Sequence, residues 1–277
     1  MDMGSGVGGE VEGEGRCYVV LVSNMKNGIG VALSSRLADM GIATYALHER
    51  SYVHTPHMRM VAMEGDVEEC ISTIAREARG IDALINLPAY AQLGTIEDIT
   101  VGELMEQFSA NLFHTFRLIR AVVPVMRLQG RGMIINVTSL AGIMGFPAIT
   151  AFSSSMFALE GLSECLRYEL MQYGIDVVLV EPGAVRSDRD LLRLPRSGHS
   201  DMLKTVHRGL AHLIEHGLSE DDVADTITRI IEEHRRGSRP RMRYIVGDYA
   251  FAMLEAKRSM GEDEFEELVR RDVGLDP

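Results

Sequence analysis

Two side chains that could exchange a proton with a ligand stand beside predicted strands and helices of the chain. Tyr90 follows the apolar segment DALINL, at the mouth of a predicted strand, where its phenol could donate a proton. His114 lies one helical turn from Asn111 in a predicted long helix, and an imidazole titrates near neutrality. The simpler interpretations are a loop aromatic for Tyr90 and a helix-surface histidine for His114. Both are candidate catalytic residues.

Three further polar side chains follow other apolar segments. Ser139 comes after GMIINV, but no nucleophile elbow surrounds it, so serine-hydrolase chemistry is not expected. Arg186 and Asp188 follow IDVVLVEP and could reach a ligand, because parallel α/β sheets bind ligands beyond the carboxyl ends of their strands. The charged stretch that they begin, about residues 186–205, is predicted to form a substrate lid, with a solvated surface loop as the alternative.

A glycine-containing turn joins the first apolar strand to the first helix. The segment SNMKNGIG, residues 23–30, runs from CYVVLV directly into a stretch with helical spacing. Such a turn brings backbone N–H groups and a helix N-terminus onto a pyrophosphate. Asn24 tolerates a left-handed backbone, and Lys26 would favour a phosphate. The turn is therefore a candidate nucleotide-binding element.

Apolar strands alternate with helical segments throughout residues 16–277. The predicted strands are CYVVLV, ATYALH, MRMVAM, DALINL, GMIINV, IDVVLVEP and RMRYIVG, and helices are predicted at about 28–41, 67–79, 102–128, 151–173, 201–216 and 220–236. This alternation predicts one α/β domain, a doubly wound parallel sheet of about seven strands with helices on both faces. Residues 1–15, rich in Gly and Glu, are expected to be a disordered arm, and residues 250–277 an acidic helical tail.

The composition argues against several classes of function. A net charge of −12 disfavours a nucleic-acid or anionic-membrane partner, because phosphate binding needs clustered Lys and Arg. The three cysteines, Cys17, Cys70 and Cys165, fit neither a disulfide framework nor a metal-ligand spacing. The sequence has no apolar run of membrane-spanning length and no secretory signal pattern. A soluble, cytoplasmic protein without a bound metal is expected.

These motifs, in this order, resemble the short-chain dehydrogenase/reductase family over about residues 16–250, which implies a Rossmann-type domain. The turn SNMKNGIG is similar to the family's Thr-Gly-three residues-Gly-Ile-Gly, with Ser23 for the threonine and Asn24 for the first glycine. GDV, Asn86, Asn111, NVTSLAG and EPGAVRS match further family segments. The resemblance implies that a dinucleotide would contact Ser23, Asn24, Lys26, Gly28, Ile29, Gly30, Asp66, Val67, Asn86, Pro182, Gly183, Val185 and Ser187.

The resemblance favours NADP(H) as the cofactor, because His48 stands where NAD-preferring members place an acidic residue. The segment NLPA replaces the family's Asn-Asn-Ala-Gly and acts against binding. Pro88 removes a backbone donor, and Ala89 places a methyl group where the family has bare backbone. NADP(H) binding and a pocket that is empty or holds another ligand therefore both stay open.

The family's catalytic pair is replaced in this chain. In the resembling family a tyrosine gives a proton to a carbonyl, and a lysine four residues later lowers its pKa and holds the nicotinamide ribose. A serine polarises the same oxygen and an asparagine serves a proton relay, roles that fall to Ser139 and Asn111. Counting 13 residues from Ser139 places Phe152 at the tyrosine position and Met156 at the lysine position. Neither can donate a proton, so both are expected to make the pocket floor apolar.

Three functions follow from these observations, and the first is preferred. It is an atypical enzyme of small-molecule biosynthesis that cyclises, dehydrates or isomerises a lipophilic carbonyl compound, with Phe152, Met156 and Arg186 in its substrate pocket. The second is an NADP(H)-dependent oxidoreductase whose proton comes from Tyr90, His114 or solvent. The third is a catalytically silent subunit. Since the family assembles through its long helices, a homodimer, a homotetramer or a hetero-oligomer with an active relative is expected.

Overall fold

The structure, a computed structural model of the 277-residue chain, describes residues 17–25, 28–48, 58–62, 66–190, 192–196 and 200–275. The predicted N-terminal arm, Lys26 in the turn and parts of the predicted lid lie outside the described residues. The fold and the site below concern the described ranges.

The strands form one large parallel sheet and one small one. In chain order they are β1 (Val19–Ser23), β2 (Ala43–His48), β3 (Met58–Ala62), β4 (Ala83–Asn86), β5 (Ala91–Gln92), β6 (Gly132–Val137), β7 (Ile175–Pro182), β8 (Leu192–Arg193) and β9 (Arg243–Val246). Seven described strands pair in parallel in the order β3-β2-β1-β4-β6-β7-β9, and β5 pairs with β8. The predicted doubly wound α/β fold is confirmed. Its strand order reverses direction between β1 and β4, which is where such sheets form a ligand crevice.

Helices cover both faces because the strands are apolar on both sides. The α-helices are α1 (Gly28–Asp39), α2 (Val67–Glu77), α3 (Val101–Phe108), α4 (His114–Gln129), α5 (Thr150–Leu170), α6 (Asp201–Glu215), α7 (Glu220–Arg235), α8 (Asp248–Ser259) and α9 (Glu262–Asp272). One core cluster packs α1 and α7 on the sheet, and another packs α2 and α4 on the opposite face. A third cluster joins α6, α8 and α9 to the segment after β6, and so forms the roof of the crevice.

Three predicted elements differ in detail from the structure. The long helix at about 102–128 consists of α3, a π-helical turn at Ser109–Phe113, and α4, because the wider turn directs Asn111 inwards. The helix at 151–173 ends in a 3₁₀ turn at Met171–Tyr173. The tail is two helices, since the chain is extended at Met260 before α9 begins. Among the helices described, we find none with the length and apolar character needed to cross a bilayer.

Candidate functional site

A cavity of about 850 Å³, measured with its open mouth, lies at the carboxyl ends of β4, β6 and β7. Thr138 and Ser139 line it after β6, Pro182 and Gly183 after β7, and Phe152 from α5. Leucine and isoleucine side chains of α6 close the far side. Ligand sites of proteins are mostly apolar and carry a few placed polar groups, so this cavity has the lining of a small-molecule site.

Ser139, a predicted catalytic residue, lines the cavity. It is extended between β6 and α5, and its Oγ accepts a 3.2 Å hydrogen bond from the Ala141 N–H. This contact orients the hydroxyl and leaves its proton free to be donated into the cavity. The Thr138 hydroxyl instead points to Glu160, to which it donates at 2.5 Å.

Phe152 and Met156, which the family resemblance aligns with its tyrosine and lysine, take different positions. Phe152 lines the cavity. Met156 does not, and its side chain is fully buried. A Cβ built on Gly142 would lie 3.0 Å from Met156 Cβ, so the 3₁₀ turn after Ser139 covers Met156. The prediction that Met156 forms part of the pocket floor is therefore wrong.

The Asn111 side chain holds backbone rather than facing the cavity. Its Oδ1 accepts a hydrogen bond from the Ala89 N–H, and its Nδ2 donates to the Tyr90 carbonyl, both at 2.9 Å. Gln107 donates to the same carbonyl at 2.9 Å. Together these side chains fix the segment after β4.

Tyr90 and His114 do not line the cavity either. The Tyr90 ring lies 4.1 Å beneath the Arg193 guanidinium, and burial raises the pKa of its phenol. His114 is half-buried in the first turn of α4. The structure therefore does not bring either predicted proton donor to the ligand space, because the fixed backbone at residues 89–90 and the helix direct them elsewhere.

The turn after β1 is tied to the segment after β4. Asn24 has φ 53°, the left-handed backbone expected for it. Its amide donates a hydrogen bond to the Pro88 carbonyl, while Ser23 Oγ accepts one from Leu87 N–H at 3.2 Å. Two bonds thus join the loops on either side of the point where the strand order reverses.

The first residue of α1 is already covered by side chains. A Cβ built on Gly28 would lie 2.5 Å from Glu220 Cγ and 2.7 Å from Ser187 Cβ. The Ser187 hydroxyl is buried without a hydrogen-bond partner within the described chain. Gly30 is required by the turn itself, because a Cβ there would meet Met25 Cα at 2.8 Å.

This arrangement does not fit a bound pyrophosphate. A phosphate approaches the backbone at the start of a helix closely, and here the side chains of Glu220 and Ser187 fill that space. An anion would also meet the Glu220 carboxylate, whose charge has the same sign. The amide of Asn24 is engaged with Pro88. Dinucleotide binding would require Glu220 and Ser187 to move away from Gly28.

The remaining residues predicted to contact a dinucleotide are spread over the crevice. Ile29, Pro182 and Gly183 line the cavity. Asn86 is buried at the end of β4 and donates to Asn136 at 2.8 Å. Val185 is buried and forms a bridge with Leu218.

Three predicted residues lie away from the cavity wall. Asp66 caps α2 by accepting from the Glu68 N–H, and Val67 begins that helix. Arg186, predicted for the substrate pocket, is exposed and outside the lining, because its backbone N–H is bonded to the Leu218 carbonyl and its side chain turns to solvent.

Asp188 is the charged side chain that lines the cavity within the described residues. Its Oδ2 accepts a 2.8 Å hydrogen bond from the Val185 N–H. The pKa of the carboxyl is raised to about 7, chiefly by burial; the Val185 N–H opposes the rise, and the nearby Glu220 carboxylate adds to it. Sequence reasoning singled out Asp188 only as a charged lid residue, and Glu220 not at all, because long-range packing brings α7 to the turn.

A buried ionic network lies behind the cavity wall. Arg243 from β9 binds Glu160 of α5 and Glu181 of β7, and its second nitrogen binds Glu164 at 2.5 Å. Burial raises the pKa of Glu181 to about 7, and the neighbouring Glu160 adds to the rise, while Arg243 opposes it. The network connects α5, β7 and β9 and fixes the wall that carries Thr138.

The model of the family described as short chain dehydrogenase matches residues 18–192. The chain belongs to the short-chain dehydrogenase/reductase family. The 3-ketodihydrosphingosine reductase of Bacteroides thetaiotaomicron is 30% identical over 231 residues, covering 80% of this chain and 79% of that protein. The uncharacterized oxidoreductase YusZ of Bacillus subtilis is 32% identical over 183 residues, covering 61% of this chain and 65%, just under two thirds, of YusZ.

Solved structures show the same fold. A short-chain dehydrogenase from Streptomyces avermitilis superposes with a TM-score of 0.78 at 23% identity, covering 94% of this chain and 98% of that one. A short-chain dehydrogenase from Burkholderia cenocepacia, solved in complex with NADP, gives a TM-score of 0.69 at 19% identity, covering 95% and 99%. Members of the family typically bind NAD(P).

Proposed function

We propose that this chain is an atypical family member that binds a lipophilic carbonyl compound and catalyses a non-redox step on it. Cyclisation, dehydration and isomerisation are steps of this kind. The observation that carries the proposal is the cavity wall itself. It is apolar apart from a few hydroxyls and one carboxyl, and it presents Phe152 at the position aligned with the family's tyrosine.

The loss of the tyrosine and lysine supports a step other than ordinary ketone reduction. General acid–base assistance contributes about 10² to 10⁴ in rate, and a phenyl ring has no proton to give. The thioether of Met156 is buried outside the cavity, so it cannot hold a ribose or tune a neighbouring acid. The covered start of α1 supports the same conclusion, because the phosphates of a nicotinamide cofactor would need that space.

The residues that remain suit binding and polarisation of a neutral ligand. Apolar side chains of α6 and Phe152 would bury a hydrocarbon body, which gains about 25 cal/mol for each Å² removed from water. Ser139 would donate its hydroxyl proton to the ligand carbonyl oxygen. Exclusion of water from such a pocket strengthens this hydrogen bond.

NADP(H)-dependent reduction is a second candidate, and the relatives favour it. One relative is named 3-ketodihydrosphingosine reductase, and one solved family member is in complex with NADP. For this function Glu220 and Ser187 would have to leave Gly28, and a group other than Phe152 would have to supply the proton. NADP(H) is therefore the cofactor that we would test first.

We also propose assembly through the long helices. Phe113 and Phe116, at the π turn and α4, and Phe157 on α5 keep 45–50% of their surface exposed. Large apolar side chains grouped on neighbouring helices are typical of an interface between subunits. Light scattering coupled to gel filtration would measure the oligomeric state, and a purely monomeric protein would contradict this proposal.

The decisive experiment compares ligand binding with and without nicotinamide. Purified protein is titrated calorimetrically with NADPH and, separately, with long-chain methyl ketones and conjugated enones, and products are followed by mass spectrometry. We expect ketone or enone binding, and turnover that does not need added NADPH. Oxidation of NADPH coupled to ketone reduction would establish the second candidate. Failure to bind any lipophilic carbonyl compound would overturn the proposal.

A further inference from the structure

We propose that Asp188 is the catalytic acid–base residue of the cavity, moving a proton to and from carbon atoms of the bound carbonyl compound. The inference rests on the proposed function, because it assumes a carbonyl ligand in that cavity. It goes further by naming the residue and the proton transfer.

The position of Asp188 carries the inference. It lies in the 3₁₀ turn Arg186–Asp190 directly after the Pro182–Gly183 segment, and its side chain lines the same cavity as Ser139 and Phe152. The Val185 N–H holds Oδ2 at 2.8 Å and so orients the carboxyl. Among the described residues, Oδ2 is the carboxyl oxygen held by a hydrogen bond, and none is described for Oδ1. One oxygen is anchored and the other is available to a ligand.

The surroundings keep this carboxyl ready for proton exchange near neutral pH. Burial is the main cause that raises its pKa to about 7, and the Glu220 carboxylate at the start of α7 contributes to the rise. Arg186, on the same turn, is exposed and acts on Asp222 instead. A general acid–base group is most effective when its pKa lies near the working pH, since both forms are then populated.

Other groups at the cavity are less suited to the role. The Tyr249 hydroxyl donates to Asp272 at 2.8 Å, and burial raises the pKa of this phenol above its ordinary value. Thr138 is bonded to Glu160. Ser139 is placed to polarise an oxygen but has no base beside it among the described contacts.

The proton transfer balances without a co-reactant. The Asp188 carboxylate takes a proton from the carbon next to the ligand carbonyl. The C–H electron pair forms a carbon–carbon double bond, and the carbonyl π pair moves to the oxygen, which accepts the Ser139 hydroxyl proton as a hydrogen bond. The protonated Asp188 then returns its proton to a carbon of the conjugated system. The carboxylate is regenerated, and the ligand is isomerised with no change in oxidation state.

The anchoring bond to Val185 also stabilises the turn, so the test must separate the two roles. Asp188→Asn keeps an oxygen that can accept from Val185 and keeps the side-chain shape, but it cannot exchange a proton. Asp201→Asn is the matched control, because Asp201 is an exposed aspartate at the start of α6 and is paired with Lys204.

The probe is 2-dodecanone in D₂O, with deuterium uptake next to its carbonyl measured by mass spectrometry. We expect the wild-type protein and Asp201→Asn to accelerate uptake with a midpoint near pH 7. Asp188→Asn should lower the accelerated rate about 100-fold while calorimetric binding of the ketone is unchanged. Unchanged exchange in Asp188→Asn would overturn the inference. If wild-type protein does not bind the ketone, the proposed function fails instead.

A second measurement does not depend on any ligand. Carbon-13 NMR of protein labelled at aspartate carboxyls, assigned by the signal missing from Asp188→Asn, reports the titration of this group directly. We expect a midpoint near pH 7 that falls in Glu220→Gln, because a neighbouring negative charge is removed. A midpoint near the ordinary aspartate value would overturn the inference even if the ketone binds.

Discussion

The Asn111 side chain shows how a residue of the family pattern acts in this chain. Both ends of its amide are used by the backbone of Ala89 and Tyr90, and the side chain is buried in the π turn. A proton relay would need a group that can face water or a ligand. We therefore expect Asn111 to contribute mainly to the structure of the segment after β4.

Replacing Asn111 tests this assignment. In Asn111→Ala the hydrogen bonds from the Ala89 N–H and to the Tyr90 carbonyl are lost, and we expect the free energy of unfolding to fall by about 2 kcal/mol. Asn111→Asp keeps an acceptor for Ala89 but places a buried carboxylate oxygen against the Tyr90 carbonyl, so its loss should be at least as large. Urea denaturation measures both. Equal stability of all three proteins would contradict the structural role.

Phe152 provides a second test at the residue scale. Phe152→Tyr places a phenol on the cavity wall, and the half-buried site should tolerate it within about 0.5 kcal/mol. We expect no NADPH-dependent ketone reduction in this variant, because Met156 offers no cation to lower the phenol pKa and Gly28 stays covered. NADPH oxidation in the presence of 2-dodecanone is the measurement. Activity restored by this one change would favour the second candidate function.

At the scale of elements, the pairing of α1 with α7 decides what the nucleotide-binding turn can hold. Arg36 of α1 binds Asp221 and Asp225 of α7, at 2.7 and 2.5 Å. The reciprocal hydrogen bonds of Ser219 and Asp222 fix where α7 begins. Because that start is fixed, Glu220 comes to lie against Gly28.

Shortening Glu220 should therefore open the turn. In Glu220→Ala both the covering side chain and its negative charge are removed, and we expect the dissociation constant of NADPH to fall at least about tenfold, equivalent to about 1.4 kcal/mol. Glu215→Ala, an exposed glutamate at the end of α6, serves as the control. Isothermal calorimetry compares the two. The same weak binding in both variants would show that Glu220 is not the obstacle.

The elements themselves could be predicted from the sequence because their signals are local. Continuous apolar runs such as IDVVLVEP identified buried strands, and helical spacing located helices to within a few residues. The π turn at Ser109–Phe113 could not be predicted in this way. It depends on Asn111 finding backbone partners in a different loop, which is a contact between residues 22 positions apart.

At the scale of the whole molecule, stability is linked to pH by carboxyls in the interior. Glu181 is fully buried, and its pKa is raised from 4.5 to about 7, chiefly by burial and then by Glu160. The folded protein thus binds this proton more tightly than the unfolded chain does. The contribution of Glu181 to stability is fully present below about pH 4.5 and is lost as the pH rises to about 7.

Replacing Glu181 by glutamine, in Glu181→Gln, removes this contribution. We expect the decline in unfolding free energy between about pH 5 and pH 7 to become shallower in the variant, with the remaining decline due to Asp188, whose pKa is shifted in the same direction. Urea denaturation at several pH values gives both curves. Parallel curves for wild type and variant would contradict the assignment.

The candidate site was predicted less completely than the fold. The sequence predicted that Ser139, Phe152 and the Pro182–Gly183 segment belong to the site, and all of them line the cavity. Each lies near the end of a strand or the start of a helix. It did not show that Tyr90 turns away under Arg193, nor that Glu220 covers Gly28. Those outcomes depend on which distant elements pack together, and a local pattern carries no information about this.

The hydrogen bond from the Asn24 side chain to the Pro88 carbonyl has a consequence for how the loops after β1 and β4 are joined. The two residues replace members of two separate family motifs, yet in the folded protein they are direct partners. Restoring glycine at position 24 alone would remove the amide that holds the loop after β4. Because the acceptor is a backbone oxygen, the side chain at position 24 alone decides whether this link between the two loops forms.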